Sequence, residues 1–266
     1  MKDRVYSNHR AHGHYIAKGG NLKAMIAELY GMKEGCSGGR GGSMHLIDLD
    51  VSFMGATPIV GGTVPLAVGS AWGDRLKGKN NVSVVFFGDG CFEEGVLHES
   101  MNFAALHKLP VIFVCENNDF SVFTFISDRQ PKRPIHKIAK AHSLLTYSGN
   151  GNDIIEVYSS FKSIYQRVIN GEGPGFLEYK TYRVREHCGP NYDNELSYRK
   201  KADILSGEKN CPIAAYEKIL SERFDDFKDM RHEIKQSLLK TIDDSFNYAE
   251  SLAPPNSDRI HERLFI

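Results

Sequence analysis

Two short groups of residues have the types and spacing to do chemistry: Gly88-Asp89-Gly90 and Asn117-Asn118. A carboxylate and an amide oxygen are hard ligands of the kind Mg²⁺ takes, and its remaining octahedral positions usually go to water and phosphate oxygens. A metal held by Asp89 and Asn118 therefore implies a diphosphate ligand. Gly88 and Gly90 would let the backbone approach that diphosphate, and the helix that follows would point its N-terminus toward the same place. A Gly-Asp-Gly alone is more often a turn. Two commoner phosphate signatures are missing, since Glu93 stands where the third glycine of GxGxxG would fall and no GxxxxGK[ST] occurs. Nicotinamide and ATP sites are disfavoured. A second glycine-dense run, Gly35 to Ser43, could cradle an anion on its backbone N–H groups or be a flexible loop.

The case for Asp89 and Asn118 rests on the elements that bring them together. Val82 to Phe87 is short, β-branched or aromatic and nearly continuous, which predicts a buried strand of a parallel sheet. Glu93 to Lys108 reads as a helix with Leu97, Met101 and Ala104 on one face and Glu93 and Glu94 in its first turn. Val111 to Cys115 is a second strand that stops at Glu116-Asn117-Asn118. In such a βαβ unit the right-handed crossover leaves both strand ends on one edge of the sheet, where α/β proteins bind ligands. Helices are also expected near residues 20–30, over Gly61 to Gly73 and over Ile154 to Ile169, with a strand from Phe176 to Tyr182 and a polar helical stretch from Ile213 to about Leu252. The fold class is α/β, a mostly parallel sheet flanked by helices. One domain over 1–266 is expected, with a core at 5–190, a helical segment at 191–252 and a tail at 253–266.

Composition narrows the function. The 266 residues are 41% hydrophobic and 25% charged, which excludes disorder as the main state. The 33 basic and 33 acidic side chains leave no net field for nucleic acid or an anionic membrane. The longest apolar runs fall far short of the roughly 20 residues that cross a bilayer. No secretory signal pattern opens the chain and the five cysteines are widely spaced, so a reducing cytoplasm is expected rather than a disulfide framework.

Gly88-Asp89-Gly90-Cys91-Phe92-Glu93-Glu94-Gly95, followed after 26 residues from Gly90 by Asn117-Asn118, resembles the thiamine diphosphate motif. The likeness is greatest to the alpha subunits of the first component of 2-oxo acid dehydrogenases (pyruvate, branched-chain and acetoin). It extends to His9-Arg10-Ala11-His12-Gly13, Gly41-Gly42-Ser43-Met44-His45, Ile59-Val60-Gly61-Gly62 and Thr181-Tyr182-Arg183, covering about residues 5 to 190. It implies the thiamine diphosphate-binding fold. Asp89, the Asn118 side chain and the Phe120 carbonyl would bind Mg²⁺. Arg10 and Arg183 would contact the diphosphate, a role a guanidinium fork suits. Gly88, Gly90 and Cys91 would line the cofactor, Val60 would support the aminopyrimidine, and His187 would stand near the reacting carbon as the catalytic residue. His9 also falls at the cofactor, where pyruvate enzymes have tyrosine, and Pro58 replaces a small residue. Arg185 to Pro190 lacks the serine that kinases modify in regulated relatives.

The resemblance also implies something missing. The glutamate that activates the aminopyrimidine lies on the beta subunit in this family, so the chain would need a beta partner in a heterotetramer and could hand its product to a lipoyl-domain acyltransferase. Relatives have further helices before the His-Arg-x-His-Gly segment, which here lies close to the first residue; the expectation is either a misassigned start or a less covered cofactor site. Two alternatives stay open: a split transketolase-like subunit, which shares the Gly-Asp-Gly and Asn-Asn elements, and a non-catalytic accessory chain.

Overall fold

The structure is a computed structural model that describes residues 3–256; of the expected tail, residues 257–266 lie outside the described residues. In chain order its longer elements are β1 (Arg4–Asn8), α1 (His12–Ala17), α2 (Leu22–Leu29), β2 (Phe53–Thr57), α3 (Thr63–Leu76), β3 (Ser83–Gly88), α4 (Gly95–Leu106) and β4 (Val111–Asn117). There follow β5 (Phe120–Ser121), β6 (Thr124–Phe125), α5 (Ile135–Ala141), β7 (Leu145–Asn150), α6 (Ile154–Ile169), β8 (Gly175–Lys180), α7 (Lys201–Lys209), α8 (Pro212–Ser221) and α9 (Phe227–Ser251). Among the described residues they form two compact units, one of residues 3–6 and 60–227, the other of residues 7–59 and 228–256.

The first unit is built on parallel strands in the order β1-β3-β4-β8-β7, with β1 joining through Arg4 to Tyr6. The expected βαβ unit is there, β3 and β4 pairing in parallel from Ser83↔Val111 to Gly88↔Glu116. Both strands are buried on both faces, which is why they read as continuous apolar runs. Val84, Ile112, Val114, Leu177 and Tyr179 pack against Ile164 and Val168 of α6. Burying each large apolar side chain contributes on the order of 1.5–3 kcal/mol. Asp153 caps α6, accepting from the Ile155 and Glu156 N–H groups at 3.0 Å, so the helix starts where the sequence predicts. Gly175 lets α6 approach, since a Cβ there would lie 2.4 Å from Ile164.

Several boundaries differ from the sequence reading: α3 runs on to Leu76, three residues past Gly73, and β8 stops at Lys180, two residues before Tyr182. Asp89–Glu93 forms a 3₁₀ turn and α4 begins only at Gly95, so Glu93 is not part of a first helical turn. The polar stretch after Pro212 is two helices, α8 and α9.

In the second unit the buried Glu28, near the end of α2, sits inside the glycine run. One carboxylate oxygen accepts from the Ser37 and Gly39 N–H groups, each at 2.8 Å. The other accepts from Gly41 at 2.6 Å and Gly42 at 3.0 Å. The loop does cradle an anion, and that anion is the chain's own. Gly39 has φ +76 and a Cβ there would meet carbonyl oxygens at 2.5 Å, so only glycine fits. Tyr30, the residue after α2, donates to Glu250 of α9 at 3.0 Å.

Candidate active site

The β3–β4 ladder ends at Gly88↔Glu116, so Asp89 leaves β3 and Asn118 leaves β4 on the same edge of the sheet. Asp89 is 1% exposed. Its Oδ2 accepts from Arg129 Nη2 at 2.5 Å, while its Oδ1 is buried with no hydrogen-bond partner. Burial pushes the Asp89 carboxyl up; the Arg129 guanidinium and the Asn118 backbone N–H oppose that shift. Gln130 Nε2 donates to the Asp89 carbonyl at 3.0 Å and to Glu93 Oε1 at 2.9 Å. Arg129 also pairs with Glu93, and its Nε donates to the Thr124 carbonyl at 3.0 Å.

The segment after Asn118 is a hairpin, β5 against β6, pairing Phe120 with Phe125 and Ser121 with Thr124. Asn118 Oδ1 accepts the Phe120 N–H at 3.1 Å, and Asn117 Nδ2 donates to the buried Glu178 at 2.8 Å. These bonds fix the chain leaving β4, and the hairpin it enters lies against the 3₁₀ turn that carries Asp89, with Ser121 beside Gly90. Val122, in the turn of the hairpin, has φ +53. At Gly90 a Cβ would lie 2.9 Å from Ser121 Oγ of this hairpin, so a side chain there would have to displace that hydroxyl; at Gly88 the space is open. Close approach by a ligand is thus available at Gly88, and at Gly90 the neighbour is Ser121.

Arg183 lies just past β8, buried, and reaches the same hairpin. Its Nη2 donates to the Val122 carbonyl at 3.0 Å, to Tyr198 Oη at 2.7 Å and to Asp193 Oδ2 at 3.4 Å, whereas Nε and Nη1 have no partner. Arg199 shares Asp193 Oδ2 at 3.1 Å and donates to the Arg183 carbonyl at 2.6 Å. Beside them a cavity of about 380 Å³ is lined by Asn118, Phe120, Thr181, Tyr182 and Arg199. His187 is half-buried on the loop between Arg183 and Asp193.

Asp89, Asn118, Phe120 and Arg183 therefore converge around one hairpin. Cys91 is 2% exposed and burial, reinforced by Glu94 and Glu93, pushes its thiol up to about 12, so it can offer a ligand only its backbone. Val60 is 49% exposed, which rules out an ordinary core valine. The next residue, Gly61, lies against Cys91 and Val96. His9 and Arg10 belong to the second unit. Burial, and then the charge of Arg10, lower the His9 pKa; the Arg10 side chain is exposed and its backbone N–H donates to Asn8 Oδ1 at 2.8 Å.

Arg129, Gln130, Asp193 and Arg199 escape the sequence reading. One signal was available: Tyr198-Arg199 repeats the pair Tyr182-Arg183. Among the described residues no three His, Cys, Asp or Glu side chains cluster to hold a metal. A cation at Asp89 would thus rely on one carboxylate and neutral oxygens, the donor set Mg²⁺ accepts. The orphaned Asp89 Oδ1 fits such a cation, and the orphaned Arg183 donors fit a phosphate oxygen.

The profile of the family described as "Dehydrogenase E1 component" matches residues 1–257. The alpha subunit of the pyruvate dehydrogenase E1 component of Rickettsia bellii is 32% identical over 266 residues, covering 100% of this chain and 80% of that one. The alpha subunit of acetoin:2,6-dichlorophenolindophenol oxidoreductase of Bacillus subtilis is 34% identical over 264 residues, covering 99% and 78%. A solved chain described as a thiamin diphosphate-dependent enzyme from Mycobacterium smegmatis is 31% identical, covers 50% of this chain and 24% of its own length, and superposes with a TM-score of 0.41, too partial to bear on the fold. On the profile and on relatives matched along their length, this chain belongs to the dehydrogenase E1 component family.

Proposed function

We propose that the chain is the alpha subunit of a thiamine diphosphate- and Mg²⁺-dependent E1 enzyme. It would decarboxylate a 2-oxo acid or cleave acetoin and pass the acyl or aldehyde unit to an acceptor such as a lipoyl domain. The observation that carries this reading is the pair of unfinished charges at one sheet edge, Asp89 Oδ1 and the Nε and Nη1 of Arg183. Thiamine diphosphate would supply a ring carbon that becomes nucleophilic on losing its proton, together with a cationic ring able to act as an electron sink. Asp89, Asn118 Oδ1 and the Phe120 carbonyl would hold the metal. Arg183 would take the diphosphate charge, with Gly88 and Cys91 presenting backbone to it; for Arg10 the same role rests on the sequence resemblance alone. Val60 would contact the ring system; for His9 that role rests on the sequence resemblance alone. His187 would hold or move a proton near the reacting carbon.

The beta subunit enters through a missing carboxylate. The buried Glu28, Asp74 and Glu178 are each engaged by their own neighbours: the glycine loop, Arg4 with Asn81, and Asn117 with His136. A partner that brings the activating carboxylate suits this inventory, and Leu66, Trp72 and Leu76 of α3 offer it exposed apolar surface. Five free cysteines support a reducing compartment, the cytoplasm in our reading; among the described residues no helix is long and apolar enough to cross a membrane.

Titration calorimetry with thiamine diphosphate in Mg²⁺, on the chain with its beta partner, tests the site. Binding that needs Mg²⁺ and is lost in Asp89→Ala is the expected result. Unchanged binding in that variant rejects the assignment.

A further inference from the structure

Asp89 is already paired with a cation. Arg129, with a side chain 9% exposed, places Nη2 against Asp89 Oδ2, and its other nitrogen, Nη1, pairs with Glu93, whose side chain is 32% exposed. One guanidinium thus bridges two carboxylates, one deep and one near solvent. Without it Asp89 would be a buried carboxylate with no counter-charge, a strongly unfavourable state. With it, the carboxylate has one finished oxygen and one unfinished oxygen.

A divalent cation on Asp89 and a guanidinium on the same carboxylate repel each other across a low-dielectric pocket. Resting on the function proposed above, we infer that Arg129 is the resident counter-ion of Asp89 and competes with the metal: Mg²⁺ enters as the guanidinium gives up Asp89 and keeps Glu93. Glu93 is the holding position, and Gln130 Nε2, bonded to both Glu93 and the Asp89 carbonyl, keeps the two groups in register during the exchange. Arg129 is a positioning residue that sets metal affinity. Its Nε is tied to the Thr124 carbonyl of the hairpin that carries Phe120, so the exchange also bears on the segment that supplies the expected backbone ligand.

The test uses Mn²⁺ as the metal, followed by the electron paramagnetic resonance signal of the free ion, with the chain, its beta partner and thiamine diphosphate present. Arg129→Met, which keeps length and removes charge, is expected to tighten Mn²⁺ at least tenfold. Glu93→Gln removes the holding position and is expected to weaken Mn²⁺ severalfold, an opposite sign that general loosening of the turn would not produce. The double variant should behave like Arg129→Met. Unchanged or weaker Mn²⁺ binding in Arg129→Met, or unchanged binding in Glu93→Gln, overturns the proposal; if Arg129→Met does not fold even with Mn²⁺, the Glu93→Gln result alone decides it. Asp89→Ala separates the two readings. Wild-type Mn²⁺ affinity in that variant would sink the site itself, whereas its loss beside an unaltered Arg129→Met affinity would sink only the counter-ion.

Discussion

Glu28 and Asp89 are both buried carboxylates, and the chain treats them in opposite ways. Both oxygens of Glu28 are filled by four backbone N–H groups of the glycine loop. Asp89 has one oxygen on Arg129 and the other without a partner. A carboxylate whose acceptors are all occupied by its own backbone is fastening a loop. A carboxylate buried at equal depth and left half finished carries a cost the fold does not remove, which is the mark of a group kept for something that arrives later.

The contrast can be broken by mutation. Glu28→Ala leaves four donors of a folded loop unsatisfied and should cost about 3–5 kcal/mol of stability, read by urea unfolding of the second unit's signal. Asp89→Ala should cost far less stability and instead lower Mg²⁺-dependent cofactor affinity by several kcal/mol. If Asp89→Ala unfolds the protein more than Glu28→Ala does, the distinction fails. Arg183→Ala sharpens the same point on the anionic side, weakening thiamine diphosphate by roughly 1.5–3 kcal/mol in calorimetry, since only part of its fork is used by the protein. His187→Ala is the smallest in binding terms: cofactor affinity stays near wild type while turnover of the complex with its beta partner falls, and normal turnover at saturating cofactor removes His187 from the mechanism. The chain without that partner should show no 2-oxo acid decarboxylation with an artificial electron acceptor.

Much of the first unit was legible because its central strands are apolar on both faces and its helices show one buried stripe. The polar strands were not. β1 is Arg-Val-Tyr-Ser-Asn, and the edge strand β7, Leu-Thr-Tyr-Ser-Gly-Asn, has no fully buried residue, so neither leaves a hydrophobic pattern to read. α5 and α7 are short, and the β5–β6 hairpin has two residues per strand. In the site, Asp89 and Asn118 were readable since each follows a strand end directly. Arg129 and Asp193 were not, because their roles come from ion pairs across 40 and 10 positions of sequence that only the folded chain creates. Glu93 was misassigned for a related reason: acidic residues after Gly-Asp-Gly look like a helix start, and the 3₁₀ turn that delivers Glu93 to Arg129 has no period of its own.

Val122 has a consequence for how the sheet edge opens and closes. A β-branched side chain at φ +53 crowds its own backbone, at roughly 1–2 kcal/mol, and the hairpin around it has only two paired positions per strand. Release of that crowding favours local opening against the ties of Arg183 to the Val122 carbonyl and Arg129 to the Thr124 carbonyl, and we expect the hairpin to open at a lower free energy than the adjoining β4. In native-state hydrogen exchange the amides of β5 and β6 would then exchange through a small, denaturant-insensitive opening, and those of β4 only through global unfolding. The peptide proposed to present a carbonyl to a metal would then open on a faster clock than the strand it grows from.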